Sequence, residues 1–189
     1  MRIRASLDEM LQYIGSHKTH EFVEHFGAFG IVARERGLKI DENEQKRYDN
    51  FLDGIIRSVP KNPHPYYESI NQFLAALTLS DPLNHLLHEF IYNSICHGNN
   101  FNINLAVTVK IFDGKNGYVI RIEDKGKGFD VDTTLRKRLY ERGGVGLSDL
   151  KMSPFYWSYE NNGSVLNLLK IYNPLGRIGI RLKNSWKIL

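Results

Sequence analysis

Residues 89–98 read EFIYNSICHG and place three polar side chains four residues apart, at Glu89, Asn93 and His97. On a helix this spacing puts all three side chains along one edge, and each successive one lies slightly closer to the buried stripe. Polar groups at the margin of a core can line a pocket, where a carboxylate can accept a proton and an amide oxygen can hold Mg²⁺. A helix edge of ordinary solvated residues has the same spacing, so this motif alone leaves both interpretations open.

The residues before this motif predict the helix that carries it. Ser80 and Asp81 supply a capping side chain, and Pro82 is tolerated in a first turn. We expect the helix to continue to His97 and to end at Gly98. Its buried stripe should be centred on Leu83, Leu87, Phe90 and Ser94.

A second motif, DKGKGF at residues 124–129, follows a predicted strand. Successive side chains of a strand point to opposite faces of the sheet, so Asp124 should lie on the same face as Tyr118, Ile120 and Ile122. Its carboxylate should therefore point inward. An inward carboxylate is costly unless it meets a donor, and a purine supplies one in its amino group. The two glycines that follow would let the backbone pass close to a flat ring. Asp and Gly also favour a plain strand-end turn, so this motif alone supports both interpretations evenly.

The third motif, GGVGL at residues 143–147, precedes a predicted helix. A glycine-rich backbone at a helix N-terminus exposes N–H groups to an anion such as a triphosphate. The motif lacks the Gly-Lys-Ser/Thr ending of a P-loop. Upstream lie Arg136, Lys137, Arg138 and Arg142, which could neutralise phosphates, although a solvated basic loop would look the same.

In this order, the three motifs resemble the N, G1 and G2 boxes of the GHKL superfamily, the Bergerat-fold ATPases and kinases. The spacing Glu-x-x-x-Asn-x-x-x-His-Gly is most similar to the bacterial anti-sigma factor serine/threonine kinases, a histidine kinase-like ATPase branch. The resemblance covers roughly residues 66–172 and implies ATP and Mg²⁺ as ligands. It also implies a regulatory protein partner, such as a sigma factor or an anti-anti-sigma-like protein.

The resemblance implies a role for each residue of the boxes. Glu89 would be the catalytic base, Asn93 the Mg²⁺ ligand and Asp124 the reader of adenine. The other nucleotide-binding positions would be His97, Gly126, Gly128, Phe129, Gly144, Val145, Gly146 and Leu147. One departure lies inside the first box, where Ser94 stands in a position that is usually Ala.

Beyond the boxes, the hydrophobic pattern predicts two hairpins that alternate with helices. Strands are expected at 105–111 and 118–122 around a turn at 113–117, and at 155–159 and 165–172 around a turn at 161–163. Helices are expected at 66–77 and 146–152, and the basic stretch 133–142 should be a loop or a single helical stretch. This order predicts a two-layer α/β sandwich, with a mostly antiparallel sheet and helices on one face.

Residues 1–60 read as a separate helical segment. Apolar side chains recur at spacings of three and four from residue 11 to 32, and a second helix is expected at 42–59. Three prolines between Pro60 and Pro65 favour a linker at 61–65. We therefore expect a helical hairpin at 1–60, an ATP-binding domain at 66–175 and a basic tail at 176–189 that adds an edge strand. The hairpin should pack on the ATP-binding domain or on a second subunit of a homodimer.

Composition sets few limits. The 189 residues carry a net charge of +4 with a pI near 9.1, yet no Lys/Arg cluster interleaved with aromatic residues predicts nucleic-acid binding. The sole cysteine, Cys96, argues against a disulfide framework and is expected to be a buried small side chain. With no signal peptide and no membrane-spanning run in the sequence, a cytoplasmic protein without a membrane partner is expected.

Two other functions share the same pocket. A helical hairpin before a GHKL domain resembles the dimerisation hairpin of a sensor histidine kinase, and the triplet His20-Glu21-Phe22 would then hold the phosphorylated residue, His20. Alternatively, the chain would be a non-catalytic module that binds a partner when a nucleotide is present.

Overall fold

The computed structural model describes residues 5–61, 82–138, 150, 153 and 155–172 of the chain. Within these ranges, five antiparallel strands form a sheet in the order β1-β2-β3-β5-β4. The strands are β1 (His17–His25), β2 (Ala106–Gly114), β3 (Gly117–Glu123), β4 (Tyr156–Glu160) and β5 (Val165–Ile171).

Both predicted hairpins are confirmed, because β2 pairs with β3 and β4 pairs with β5. The turn between β4 and β5 needs left-handed backbone at Asn161, Asn162 and Gly163, with φ of 48°, 52° and 90°. Asn and Gly adopt this conformation more readily than other residues, which explains why this triplet makes the turn.

Five α-helices accompany the sheet in the described ranges: α1 (Leu7–Ile14), α2 (Gly30–Glu35), α3 (Glu42–Ser58), α4 (Pro82–Asn93) and α5 (Val131–Arg138). The structure describes α4 from Pro82 onward, and α4 carries the first motif. A π-helical turn at Ser94–Gly98 ends it, which agrees with the predicted end at Gly98. The predicted capping residues Ser80 and Asp81 lie outside the described residues. Its buried stripe is rotated slightly from the predicted one, since Leu86, Leu87, Phe90 and Ile91 are buried. The stretch from 131 to 138 is helical, one of the two predicted outcomes.

The sheet has a core on each face. The larger core lies beneath the helices α2, α3 and α4, and it includes Phe26, Tyr48, Leu87, Ile120 and Trp157. The smaller core lies beneath α1 on the opposite face, where Met10 and Ile14 pack against Phe112, Val119 and Leu169. The antiparallel sheet and the layer of α2, α3 and α4 on one face confirm the predicted two-layer α/β sandwich, and α1 adds an N-terminal helix on the other face, which corrects the expectation that all helices share one face.

The predicted helical hairpin is wrong between residues 17 and 25, because these residues form β1 and pair with β2 along their whole length. The helical spacing of Phe22, Phe26 and Phe29 has another cause. Phe22 lies on β1, whereas Phe26 and Phe29 lie in the loop after it, and all three rings reach the core around α3. Pairing with a neighbouring strand outweighs the local helical pattern.

The N-terminal residues belong to the same core and the same sheet as the residues after Pro82. A boundary at 61–65 stays a prediction, because residues 62–81 lie outside the described residues, as do the expected helix at 66–77 and the tail at 176–189. Within the described ranges, no helix combines the length and apolar character that crossing a membrane would require.

Candidate nucleotide-binding site

A cavity of about 520 Å³ lies beside α4, between the end of β3 and the turn that joins β4 to β5. This volume is within the range of about 300–1,000 Å³ that is usual for small-molecule sites. Its polar lining residues are Glu89, Asn93, Ser94, His97, Asp124, Thr134 and Ser164. Its apolar lining residues are Val32, Phe90, Tyr92, Ile122, Phe129, Tyr159 and Leu166.

The edge of α4 supplies one wall of this cavity. Glu89 and Asn93 are both half-buried, and the Asn93 side-chain nitrogen donates to Glu89 Oε1 at 3.0 Å. An ionised carboxylate only accepts hydrogen bonds, so the amide nitrogen must face Glu89 and the amide oxygen faces away from it. Asn93 thus keeps an oxygen atom for a hard cation while its nitrogen orients the carboxylate.

The other side of α4 is held by α3. Tyr48 is fully buried, and its hydroxyl donates to the backbone oxygen of His88 at 3.1 Å. The Tyr48 ring also makes edge contacts with the rings of His88 and Tyr92, at 5.4 Å and 6.4 Å between centroids. The N-terminal segment therefore fixes the helix that positions Glu89 and Asn93.

Asp124 lies at the end of β3, on the same face of the sheet as Ile120 and Ile122, as predicted. It lines the cavity. Its carboxylate accepts the Gly126 backbone N–H at 2.9 Å and a hydrogen bond from the Ser94 hydroxyl. Burial raises the pKa of this carboxyl above its usual range, and the hydrogen bonds from Gly126 and Ser94 act in the opposite direction. A half-buried acceptor of this kind suits the exocyclic amino group of a purine.

Gly98 of the first motif and Gly126 of the second meet beside this carboxylate. A Cβ built on Gly98 would lie 2.6 Å from each carboxylate oxygen of Asp124. A Cβ on Gly126 would overlap the backbone oxygen of Gly98, and one on Gly128 would overlap that of Asn162. Gly128 also has a φ of +70°, which favours glycine. Gly98 and Gly126 are therefore required by close packing beside Asp124, whereas Gly128 is required by its own φ and by its packing against the Asn162 backbone. Gly98 and Gly128 also line the cavity.

Asn99 belongs to the site although none of the three motifs includes it. Its side-chain nitrogen donates to the backbone oxygens of Leu105 and Ala106, at 3.0 and 3.1 Å, and its oxygen accepts the Lys125 N–H at 2.9 Å. The side chain is buried and joins the end of the first motif, the start of β2 and the loop of the second motif. Only its place directly after Gly98 could have indicated this role.

The sequence predicts Ser94 as part of the buried stripe and as a departure from the family pattern, but not as a partner of Asp124, whose carboxylate its hydroxyl contacts. The helix α2 was also missed as a wall of the cavity. Val32 lines the cavity, and its backbone N–H donates to the Tyr92 hydroxyl at 3.3 Å. Both residues lie on elements that the sequence did not place next to the second motif.

At the open side, Phe129 is 37% exposed and its ring contacts that of Tyr159 edge-on, with 5.4 Å between centroids. The third motif, with Gly144, Val145, Gly146 and Leu147, lies outside the described residues, as does Arg142. Arg136, Lys137 and Arg138 lie on α5.

In the ranges that the structure describes, no cluster of three or more His, Cys, Asp or Glu side chains is arranged to hold a metal ion. A cation at Asn93 would take its remaining ligands from water and from phosphate oxygens, as Mg²⁺ does at many nucleotide sites. Cys96 is fully buried, as expected, and burial raises the pKa of its thiol to about 11. The thiol is thus protonated and acts as a small apolar side chain.

Comparison with known proteins gives a distant similarity. No family model matches the chain. The chain is 26% identical to the sensor protein VraS of Staphylococcus haemolyticus over 136 residues, which are 72% of this chain and 36% of that protein. It is 32% identical to the sensor protein VraS of Staphylococcus aureus over 104 residues, which are 55% of this chain and 28% of that protein. The chain thus spans about a third or less of the length of these curated relatives.

Proposed function

We propose that this chain is a histidine kinase-like ATPase domain that binds Mg²⁺ and ATP and transfers a phosphoryl group to a protein. The observation that carries the proposal is that Glu89, Asn93 and Asp124, from two separate motifs, line one cavity. The similarity to bacterial sensor proteins supports the same group of ATPases.

Each residue has a role that its geometry supports. The Asp124 carboxylate would accept the adenine amino group, with Ser94 and Gly126 holding the carboxylate in place. The Asn93 oxygen would contribute to the Mg²⁺ site, and Mg²⁺ would neutralise charge on the phosphates. Glu89, oriented by Asn93, would take the proton from the attacking hydroxyl or water.

For the acceptor, we propose a serine or threonine of a regulatory partner, as in the anti-sigma factor kinases that the first motif resembles. The histidine alternative within this chain loses its structural basis, because His20 lies on β1 and not on a helical hairpin. A sensor histidine kinase remains the second candidate. The similarity to sensor proteins favours it, with an acceptor histidine outside the described residues.

Incubation with γ-labelled ATP and Mg²⁺, with and without a candidate partner, tests the function. Acid-stable label on a partner supports the serine/threonine kinase, whereas acid-labile label on this chain or on a longer form of it supports the histidine kinase. ATP binding without any label would leave a nucleotide-gated binding module and contradict phosphoryl transfer.

A variant pair links this transfer to the cavity. Glu89→Gln keeps the shape of the side chain but removes the base, so transfer should fall at least about a hundredfold while ATP still binds. Asp53→Asn is the matched control, because that carboxylate lies on the exposed side of α3, near Arg57. Wild-type transfer by Glu89→Gln would remove Glu89 from the mechanism.

A further inference from the structure

Arg36 directly follows α2, in the part of the chain that precedes every predicted box. Its guanidinium Nη1 donates to the backbone oxygen of Cys96 at 2.9 Å and to Asn100 Oδ1 at 2.7 Å. Its Nη2 lies 3.2 Å from His97 Nδ1, and the guanidinium carbon lies 5.6 Å from the centre of the Phe101 ring. Arg36 thus contacts four residues in the turn that ends the first motif.

This turn has an unusual backbone. Asn100 and Phe101 both have positive φ, at 54° and 57°. Asn tolerates the left-handed region, but a bulky Phe rarely adopts it and does so at a cost. The contacts of Arg36 with the Asn100 side chain and the Phe101 ring stabilise this conformation, and the same guanidinium contacts His97 directly.

The contact between Arg36 and His97 has a definite chemical consequence. An arginine side chain is always protonated and has no acceptor, so the hydrogen between the two nitrogens belongs to Arg36. The Nδ1 of His97 must therefore accept with its lone pair, which leaves a neutral imidazole with its proton on Nε2. His97 lines the cavity on the same helix edge as Asn93, one turn further along.

We propose that Arg36 is a positioning residue that holds His97 as the Nε2–H tautomer, and that this N–H donates to a phosphate oxygen of the bound nucleotide. The phosphate end is assigned because Asn93, the neighbouring residue on this edge, is the one suited to the cation that accompanies phosphates. The inference rests on the proposed function, and it adds a residue from outside the boxes to the site.

The first measurement needs no nucleotide. In protein labelled with ¹⁵N-histidine, the ring nitrogens of His97 should show the Nε2–H tautomer, and Arg36→Met should shift this pattern toward a mixture of tautomers. Arg57→Met is the matched control, since Arg57 is highly exposed on α3. A wild-type Nδ1–H tautomer, or an unchanged spectrum in Arg36→Met, would overturn the assignment.

The second measurement compares ATP with adenosine by calorimetry. Arg36→Met should weaken ATP binding by about three- to tenfold, the range of one hydrogen bond, and leave adenosine binding within about twofold. His97→Gln, whose amide nitrogen can replace Nε2, should retain more ATP affinity than His97→Asn. Equal losses for ATP and adenosine would make Arg36 a merely structural residue and contradict the proposal.

These outcomes are separable from failure of the proposed function. If the wild-type protein binds neither ATP nor adenosine, the nucleotide role of His97 is wrong together with the proposed function. The tautomer spectrum still decides whether Arg36 sets the protonation of His97.

Discussion

Gly98 and Asp124 are in such close contact that no side chain can be added at position 98 without displacing the carboxylate. The last residue of the first motif thus packs directly against the first residue of the second motif. Gly98 needs to be glycine for lack of space, since its φ does not lie in the left-handed region.

Gly98→Ala should therefore weaken ATP binding strongly, because the added methyl group pushes Asp124 away from the position proposed for adenine. Loss of a charge-assisted hydrogen bond corresponds to about 1.5–3 kcal/mol of binding free energy, measured by calorimetry. Gly27→Ala is the control, because a Cβ there has its nearest neighbours at an ordinary 3.7 Å. Equal ATP affinity in Gly98→Ala and Gly27→Ala would show that this contact does not shape the site.

ATP affinity should also depend on pH through Asp124. Burial raises the pKa of this carboxyl, so a falling pH protonates it earlier than an exposed carboxyl. A protonated carboxyl is a poorer acceptor for the adenine amino group, so affinity should decline as the pH falls, starting above the usual range of carboxyl titration. Asp124→Asn should bind more weakly at neutral pH and should lack this decline. Calorimetry at a series of pH values measures both effects, and parallel pH profiles would contradict the assignment.

The raised pKa has a second consequence, for stability. A carboxyl whose pKa is higher in the folded than in the unfolded protein binds protons more readily when folded. The carboxyl therefore stabilises the folded protein at pH values below its pKa in the unfolded chain. This stabilisation is lost as the pH rises through its pKa in the folded protein. Asp124→Asn removes the titrating carboxyl. The free energy of unfolding without ATP should therefore depend less on pH between the pKa of this carboxyl in the unfolded chain and its pKa in the folded protein.

Asn99→Asp should destabilise the fold, because the change replaces a donor to two backbone oxygens with a carboxylate that faces them. Two lost hydrogen bonds and a buried charge amount to about 3 kcal/mol or more of unfolding free energy. Asn104→Asp, an exposed position in the same loop, is the control. Urea denaturation measures the difference, and a loss below 1 kcal/mol, the size of about one hydrogen bond, would contradict the bridging role of Asn99.

Two glycines outside the site should respond in opposite directions to alanine. Gly54 lies within α3, where a Cβ would make ordinary contact with the Phe22 ring at 3.6 Å, so Gly54→Ala should stabilise by about 0.5–1 kcal/mol. Gly37 has a φ of +70°, so Gly37→Ala should destabilise by about 1 kcal/mol although nothing lies nearby. Thermal unfolding checks the pair, and effects of the same sign would contradict the described backbone.

The sequence predicted those parts of the fold whose pairing is local. Both hairpins alternate in hydrophobicity around short turns, and the strand parity that places Asp124 on the core side acts over only a few residues. The helical stretch that ends at Gly98 follows from an equally local hydrophobic pattern.

The sequence does not predict the parts of the structure that contacts between distant segments decide. The residues of β1 are mostly polar and would suit the exposed side of a helix. They form a strand because they pair with β2. The roles of Asn99 and Arg36 depend on backbone atoms and on a histidine that belong to other elements. No spacing within one element indicates such contacts.

β1 stands first in the sheet that the described residues form, and its distance along the chain from its partner β2 bears on the order of folding. During synthesis the hairpins β2–β3 and β4–β5 can form as soon as each second strand emerges, whereas the residues of β1 must wait for a partner roughly 80–100 residues later in the chain. Closing so long a loop is slow, so we expect β1 to pair after the β2–β3 hairpin exists. For the same reason we expect β1 to separate before β3 when the protein opens, so the backbone amides of β1 should exchange hydrogen faster than those of β3.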